Sequence, residues 1–158
     1  MDGNGPATRS LYEADEHAWM LQQLDLLDAG RVADLDTMHL AEYLRDMTKS
    51  DRRALRSRLT RLFQHLLKFE AQPGRATRSW RLTVFEQQER VRDDLKDTPS
   101  LANYLPELLP EAYDRARLYA AKETGLPLSA FPAEAPWSLE SALAWEPPET
   151  DIQPGGRR

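Results

Sequence analysis

The sequence predicts an all-α protein, a compact helical bundle of about five main helices followed by an irregular, Pro-rich C-terminal segment. Three observations carry this expectation. Of 158 residues 24 are Leu and 19 are Ala, while Val32, Val84, Val91 and Ile152 are the only Val and Ile residues. Leu and Ala enter helices at little cost, whereas strands draw on β-branched and aromatic residues. The interior glycines Gly30, Gly74 and Gly125 fall where helical patterns end. Leu55, Leu59, Leu62, Leu66 and Phe69 repeat at i, i+4, i+7, i+11 and i+14, which keeps one apolar stripe toward a partner.

The first helix is expected over about 13–28, with an acidic first turn (Glu13, Asp15, Glu16) suited to the helix dipole and Gly30 as its C′ residue. A short second helix follows Asp36 as N-cap and ends near Met47. Ser50 is expected to cap a third, over about 51–71, which Pro73-Gly74 stops. Ser79 is expected to cap a fourth over about 80–96, with Trp80, Val84, Val91 and Leu95 inward and Gln88 interrupting them. Ser100 opens a final long segment to Thr124 that Pro106 and Pro110 should divide, the main helix starting near Pro110 because proline suits N1. Its face is read as Leu109, Ala112, Ala116, Tyr119 and Ala120. Six of 11 prolines follow Pro127 onward, so only one short helix, about 139–144 behind Ser138, is expected there, with Phe131 and Trp137 as anchors.

Length and composition fit one helical domain over 10–145 between disordered tails at 1–9 and 146–158. Absence of cysteine excludes disulfides, thiolate zinc sites and a Cys nucleophile. No glycine-rich phosphate loop is present. No apolar run approaches the roughly 20 residues of a membrane span, and no signal-peptide core follows Met1. A cytoplasmic protein without membrane contact is expected.

Charge is segregated. Residues 1–48 carry −7, residues 49–92 carry +8 and residues 93–158 carry −6, within a net −5. Ten of the twelve cations in the middle block are Arg, which pairs bidentately with carboxylate or phosphate. Arg58, Arg61, His65 and Lys68 fall on one flank of the third helix, and Arg75, Arg78 and Arg81 follow beyond the turn. These are the candidate anion-binding or interaction residues. Against that reading stands internal neutralisation by the acidic helices, and a pI near 5.3 is far from the basic values usual for nucleic-acid binders.

Catalytic signatures are sparse. His17, His39 and His65 lie on three different helices, and only Asp36-x-x-His39 approaches the Glu-x-x-His spacing of di-iron bundles. No metal and no cofactor is expected. His65 beside Lys68 and Arg61 has the makings of a neutral base, and Glu42, Asp15 and Tyr113 are polar groups that other helices could bring to it. Trp19, Trp80, Tyr12 and Tyr113 read as core aromatics.

Several strings taken in order are similar to the bacterial family called domain of unknown function 29. They are Leu11-Tyr12-Glu13-x-Asp15-x-x-x-Trp19, His65-Leu66-Leu67-Lys68, Gln72-Pro73, Ser79-Trp80-Arg81, Pro99-Ser100-Leu101, Ala112-Tyr113-x-x-Ala116-Arg117, Glu123-Thr124-Gly125-Leu126-Pro127 and Phe131-Pro132, with Pro136 beyond. The likeness covers about 10–145 and implies a helical fold without an assigned activity. It draws attention to Asp15, His65, Lys68, Arg81 and Arg117. Phe69 stands where the pattern has Trp, and Tyr43 where an acidic residue would follow Glu42, which weakens a paired-carboxylate site on the second helix.

The leading functional expectation is a non-enzymatic interaction or regulatory module that binds a protein partner, including a second copy of itself, or an anionic ligand through the Arg58-to-Arg81 block. A competing expectation is a small hydrolase or nuclease-like enzyme using His65 with Lys68 and an Arg. A third is a nucleic-acid-binding regulator, which overall charge disfavours.

Overall fold

The computed structural model describes residues 10–149. It is all-α, with no strand among the described residues. Four long helices and two short ones are α1 (Leu11–Ala14), α2 (Glu16–Asp28), α3 (Thr37–Ala71), α4 (Arg78–Asp97), α5 (Leu105–Thr124) and α6 (Leu139–Leu143), joined by short 3-10 turns. The tails expected at 1–9 and beyond 149 lie outside the described residues. No described helix is long and apolar enough to cross a membrane. Two compact units divide between Thr48 and Lys49.

The first unit is built around Trp19, 2% exposed. Ser10 caps α1 through a capping box with Glu13, and the chain then breaks at Asp15, whose side chain accepts from the Ala18 N–H and starts α2. The single helix expected over 13–28 is therefore two, because Asp15 supplies a second cap. Asp36 is the N-cap anticipated for the next helix. Its carboxylate accepts from the His39 N–H at 3.3 Å, from His39 Nδ1 at 2.6 Å and from Trp19 Nε1 at 3.1 Å. Gln23 Oε1 accepts from the Asp36 N–H at 2.8 Å. Tyr12 stacks on His39 at 4.5 Å and meets Trp19 edge-on at 4.7 Å. This unit buries little else, and Leu21, Leu24, Leu27, Val32, Met38, Leu44 and Met47 stay exposed.

Residues 37–48 of α3 belong to that unit and residues 49–71 to the second. The expected break at Ser50 is absent. Neither Gly nor Pro lies between Met47 and Asp51, and Thr48 bonds back to the Arg45 carbonyl at 2.8 Å, so its hydroxyl does not compete with the helix. From Leu55 onward α3 is the central helix of the second core. Leu55, Leu59, Leu62, Phe63, Leu66 and Leu67 are all essentially fully buried, each contributing about 1.5–3 kcal/mol of burial. They pack with Val84 and Val91 of α4 and with Leu108, Ala112, Ala116 and Ala120 of α5.

The remaining boundaries shift for local reasons. Thr77, not Ser79, caps α4, accepting from the Trp80 N–H. α5 starts at Leu105 with Pro106 in its first turn, leaving Pro110 inside the helix, where its missing N–H forgoes one ladder bond. Gly125 ends α5 at φ 74°, as expected of a C′ glycine, and Gly30 adopts φ 69° after α2. Ser138 caps α6 as expected. Tyr119, placed on the inward face of the last long helix from sequence, is exposed, while Tyr113 is buried.

Candidate functional site

The last turns of α3 bury two basic side chains. Lys68 is 1% exposed, and its ammonium donates to Glu123 Oε1 at 2.5 Å and lies 4.0 Å from the centre of the Trp80 ring. Gln64 Nε2 donates to the other Glu123 oxygen at 2.6 Å. An ammonium removed from water requires a paired charge, and the ring face of Trp80 adds a second partner. Burial works to raise the Glu123 carboxyl. The hydrogen bond and charge of Lys68, with the Gln64 hydrogen bond, outweigh it and hold the group below its ordinary value.

His65 is 7% exposed, with Nδ1 3.0 Å from the Arg61 carbonyl, the geometry of an Nδ1–H donor that leaves Nε2 as acceptor. Burial pushes its imidazole down. The Arg61 carbonyl opposes that and the Lys68 charge reinforces it, and the group is held below its ordinary value. Lys68, Glu123 and Trp80 thus join the end of α3 to α4 and α5 as a polar clasp, with His65 beside them bonded within α3.

A second group of polar side chains holds the Pro-rich C-terminal segment. Its irregular backbone has few carbonyl partners of its own, and buried carbonyls must be satisfied. Gln88 Nε2 donates to the carbonyls of Ala142 at 3.1 Å and Trp145 at 2.8 Å. Arg92 donates to the Leu143 carbonyl, and Arg81 Nη2 to that of Pro148 at 3.1 Å. The Tyr113 hydroxyl donates to the Pro132 carbonyl at 2.8 Å, and Arg117 Nη2 reaches that of Phe131 at 3.4 Å. Burial raises the Tyr113 phenol, and Glu70 and Asp114 add to this, against the Arg117 charge.

Of the other sequence candidates, Arg58 forms an ion pair with Asp94 of α4. Arg61 is exposed and lines a groove of about 490 Å³ with Arg58, Arg90, Ser57, Glu86 and Gln87. Arg78 and Arg81 line a second groove, of about 460 Å³, with Leu82 and Phe85. Arg75 is exposed in the turn before α4. Asp15 and Glu42 belong to the first unit, Asp15 as the cap of α2 and Glu42 exposed on α3. Among the described residues no three His, Asp or Glu side chains gather as a metal ion would require.

Several partners were not singled out from the sequence. Glu123 stands 55 residues from Lys68, and Gln88 and Arg92 over 50 from the carbonyls they hold. Glu123 does fall within one of the family-like strings, which was its only signal. Gln88 was visible as a polar residue interrupting an apolar stripe, a pattern that fits a buried side chain with backbone partners.

The architecture is that of an all-α protein in which polar side chains from α4 and α5 secure a proline-rich segment. The chain belongs to the family described as Domain of unknown function DUF29, whose model matches residues 11–146. No curated protein and no solved structure matches it.

Proposed function

We propose that this chain is a non-enzymatic interaction module whose outer α3/α4 face receives an acidic, amphipathic helix of a protein partner. One observation carries the reading: Leu82 and Phe85 are 56% and 59% exposed on α4, between Arg78 and Arg81 on one side and the Arg61–Arg90 groove on the other. Grouped exposed apolar side chains ringed by charge mark interaction surfaces, and Arg rims with an aromatic centre are common in them. Lys68 and Arg58 are committed to Glu123 and Asp94, and Arg61, Arg78 and Arg90 are exposed cations that line these two surfaces. The exposed Leu and Met side chains of the first unit support the same class of role. The cell compartment proposed is the bacterial cytoplasm, which fractionation of the native host tests.

The test uses a synthetic helical peptide with Leu on one face and Glu on the other, alongside its Glu-to-Gln counterpart and a duplex DNA. Binding of the acidic peptide is expected to weaken about tenfold in Phe85→Ser, one lost apolar anchor being worth about 1–2 kcal/mol. It should weaken further in Arg61→Ala/Arg90→Ala, and the Gln peptide should bind less tightly. Equal binding of the two peptides, or tighter binding of DNA with a steep salt dependence, overturns the proposal.

A further inference from the structure

On the opposite side of α3 from the charged groove chemistry, a second cavity has a different character. Between α5 and the segment 133–139 lies a groove of about 370 Å³, within the roughly 300–1,000 Å³ of small-molecule sites. Its floor is aromatic and aliphatic: Phe63, Tyr113, Trp137 and Leu109. Phe63 meets Tyr113 edge-on at 5.7 Å and lies nearly parallel to Trp137 at 6.4 Å. The Tyr113 hydroxyl is occupied by the Pro132 carbonyl, which presents the ring and not the hydroxyl as lining. Pro110, inside α5, adds its ring to the same wall. Two carboxylates, Asp114 and Glu134, are the charged groups of the lining, Ser138 adds a hydroxyl, and no cation is among the lining residues. Arg117, one turn along α5, has its guanidinium directed to the Phe131 carbonyl.

We infer that this groove binds a hydrophobic organic cation, an amine carried on an aromatic or alkyl body, with the body against Trp137, Leu109 and Pro110, above the buried rings of Phe63 and Tyr113, and the ammonium at Asp114 and Glu134. Electron-rich ring faces attract cations as carboxylates do, so apolar wall and acidic rim select the same ligand charge. An anion of the same shape meets two like charges and no donor side chain with a positive charge. The groove uses none of the residues of the α4 interaction face, and the inference stands independently of it.

Three probes of one skeleton test it on the full-length protein by calorimetry: 4-phenylbutylamine, 4-phenylbutan-1-ol and 4-phenylbutyrate. The amine is expected to bind about fivefold or more tighter than the alcohol, and the carboxylate more weakly than either, since each exposed charge contact is worth up to about fivefold. Asp114→Asn/Glu134→Gln should bring the amine down to the level of the alcohol and leave the alcohol unchanged, which also shows that the groove is intact. Trp137→Ala should weaken both amine and alcohol. Carboxylate binding equal to that of the amine, an amine preference that survives the double substitution, or no binding of any probe at millimolar concentration overturns the inference.

Discussion

Replacing Glu123 by Ala leaves the Lys68 ammonium buried with only the Trp80 ring as partner. Removing one member of a buried pair costs about 3–5 kcal/mol, whereas an exposed pair is worth about 0–1 kcal/mol. Lys68 is buried but the Glu123 side chain remains 47% exposed, so water reaches one side of the pair and the cost falls between these limits, at about 2 kcal/mol. For a chain of this size that is a fall in Tm of about 4–8 °C. Lys68→Met is the informative counterpart. It keeps an unbranched chain against Trp80 and leaves Glu123 solvated and still bonded to Gln64, so it should cost under about 1 kcal/mol. Urea titration followed by near-ultraviolet circular dichroism, which senses Trp80, measures both. Lys68→Met as destabilising as Glu123→Ala refutes the assignment of Lys68 as the side chain that needs its partner.

Gln88→Ala should cost about 2 kcal/mol by stranding the Ala142 and Trp145 carbonyls; thermal melts give the loss, and hydrogen exchange should rise first in α6. Gly125→Ala should cost about 1 kcal/mol from its left-handed backbone alone, since no atom lies within 4 Å of an added Cβ, whereas Gly74→Ala, without positive φ, should be neutral or slightly stabilising. The Asp36 carboxyl is held below its ordinary value, first by the His39 side chain, and Glu123 is likewise lowered. Both therefore contribute stability above about pH 4 that is lost as pH falls through their folded values. His65 is also lowered, so the unfolded chain takes up its proton first and stability declines as pH falls from about 6.5 toward the folded value. Urea midpoints from pH 3 to 8 should fall monotonically toward acid, with His65→Gln flattening the part just below pH 6.5.

Much of the fold was legible because it depends on local chemistry. The leucine stripe from Leu55 to Phe69, the Asp36 and Ser138 caps and the Gly30 and Gly125 C′ positions each act within one turn of chain. Errors arose where two local options competed. Ser50 resembles a cap but sits in a run without breakers, Asp15 lies within a helical run but caps a new helix, and Thr77 precedes Ser79. The candidate residues were recognisable as polar positions, but their partners were not. Lys68 and Glu123, Arg58 and Asp94, and Tyr113 and the Pro132 carbonyl are joined only by packing of separate elements. Backbone carbonyls are chemically identical along the chain, so no residue type marks the ones that Gln88, Arg81 and Arg117 hold. The outward face of α4 was legible only by difference: with Trp80, Val84, Val91 and Leu95 inward, Leu82 and Phe85 fall outside the stripe, and nothing in the sequence marks them as a group.

The proposed function divides the basic block between cations that hold the fold and an outward α4 face that binds an acidic partner helix. Amide chemical-shift mapping of the ¹⁵N-labelled protein on titration with the acidic amphipathic peptide locates the binding face residue by residue. Shifts are expected to concentrate at Arg78, Leu82, Phe85, Glu86 and Arg90 on α4 and at Arg58 and Arg61 on α3, with His65, Lys68 and Arg117 little changed. Shifts centred on His65 and Lys68, or none on α4, would contradict it.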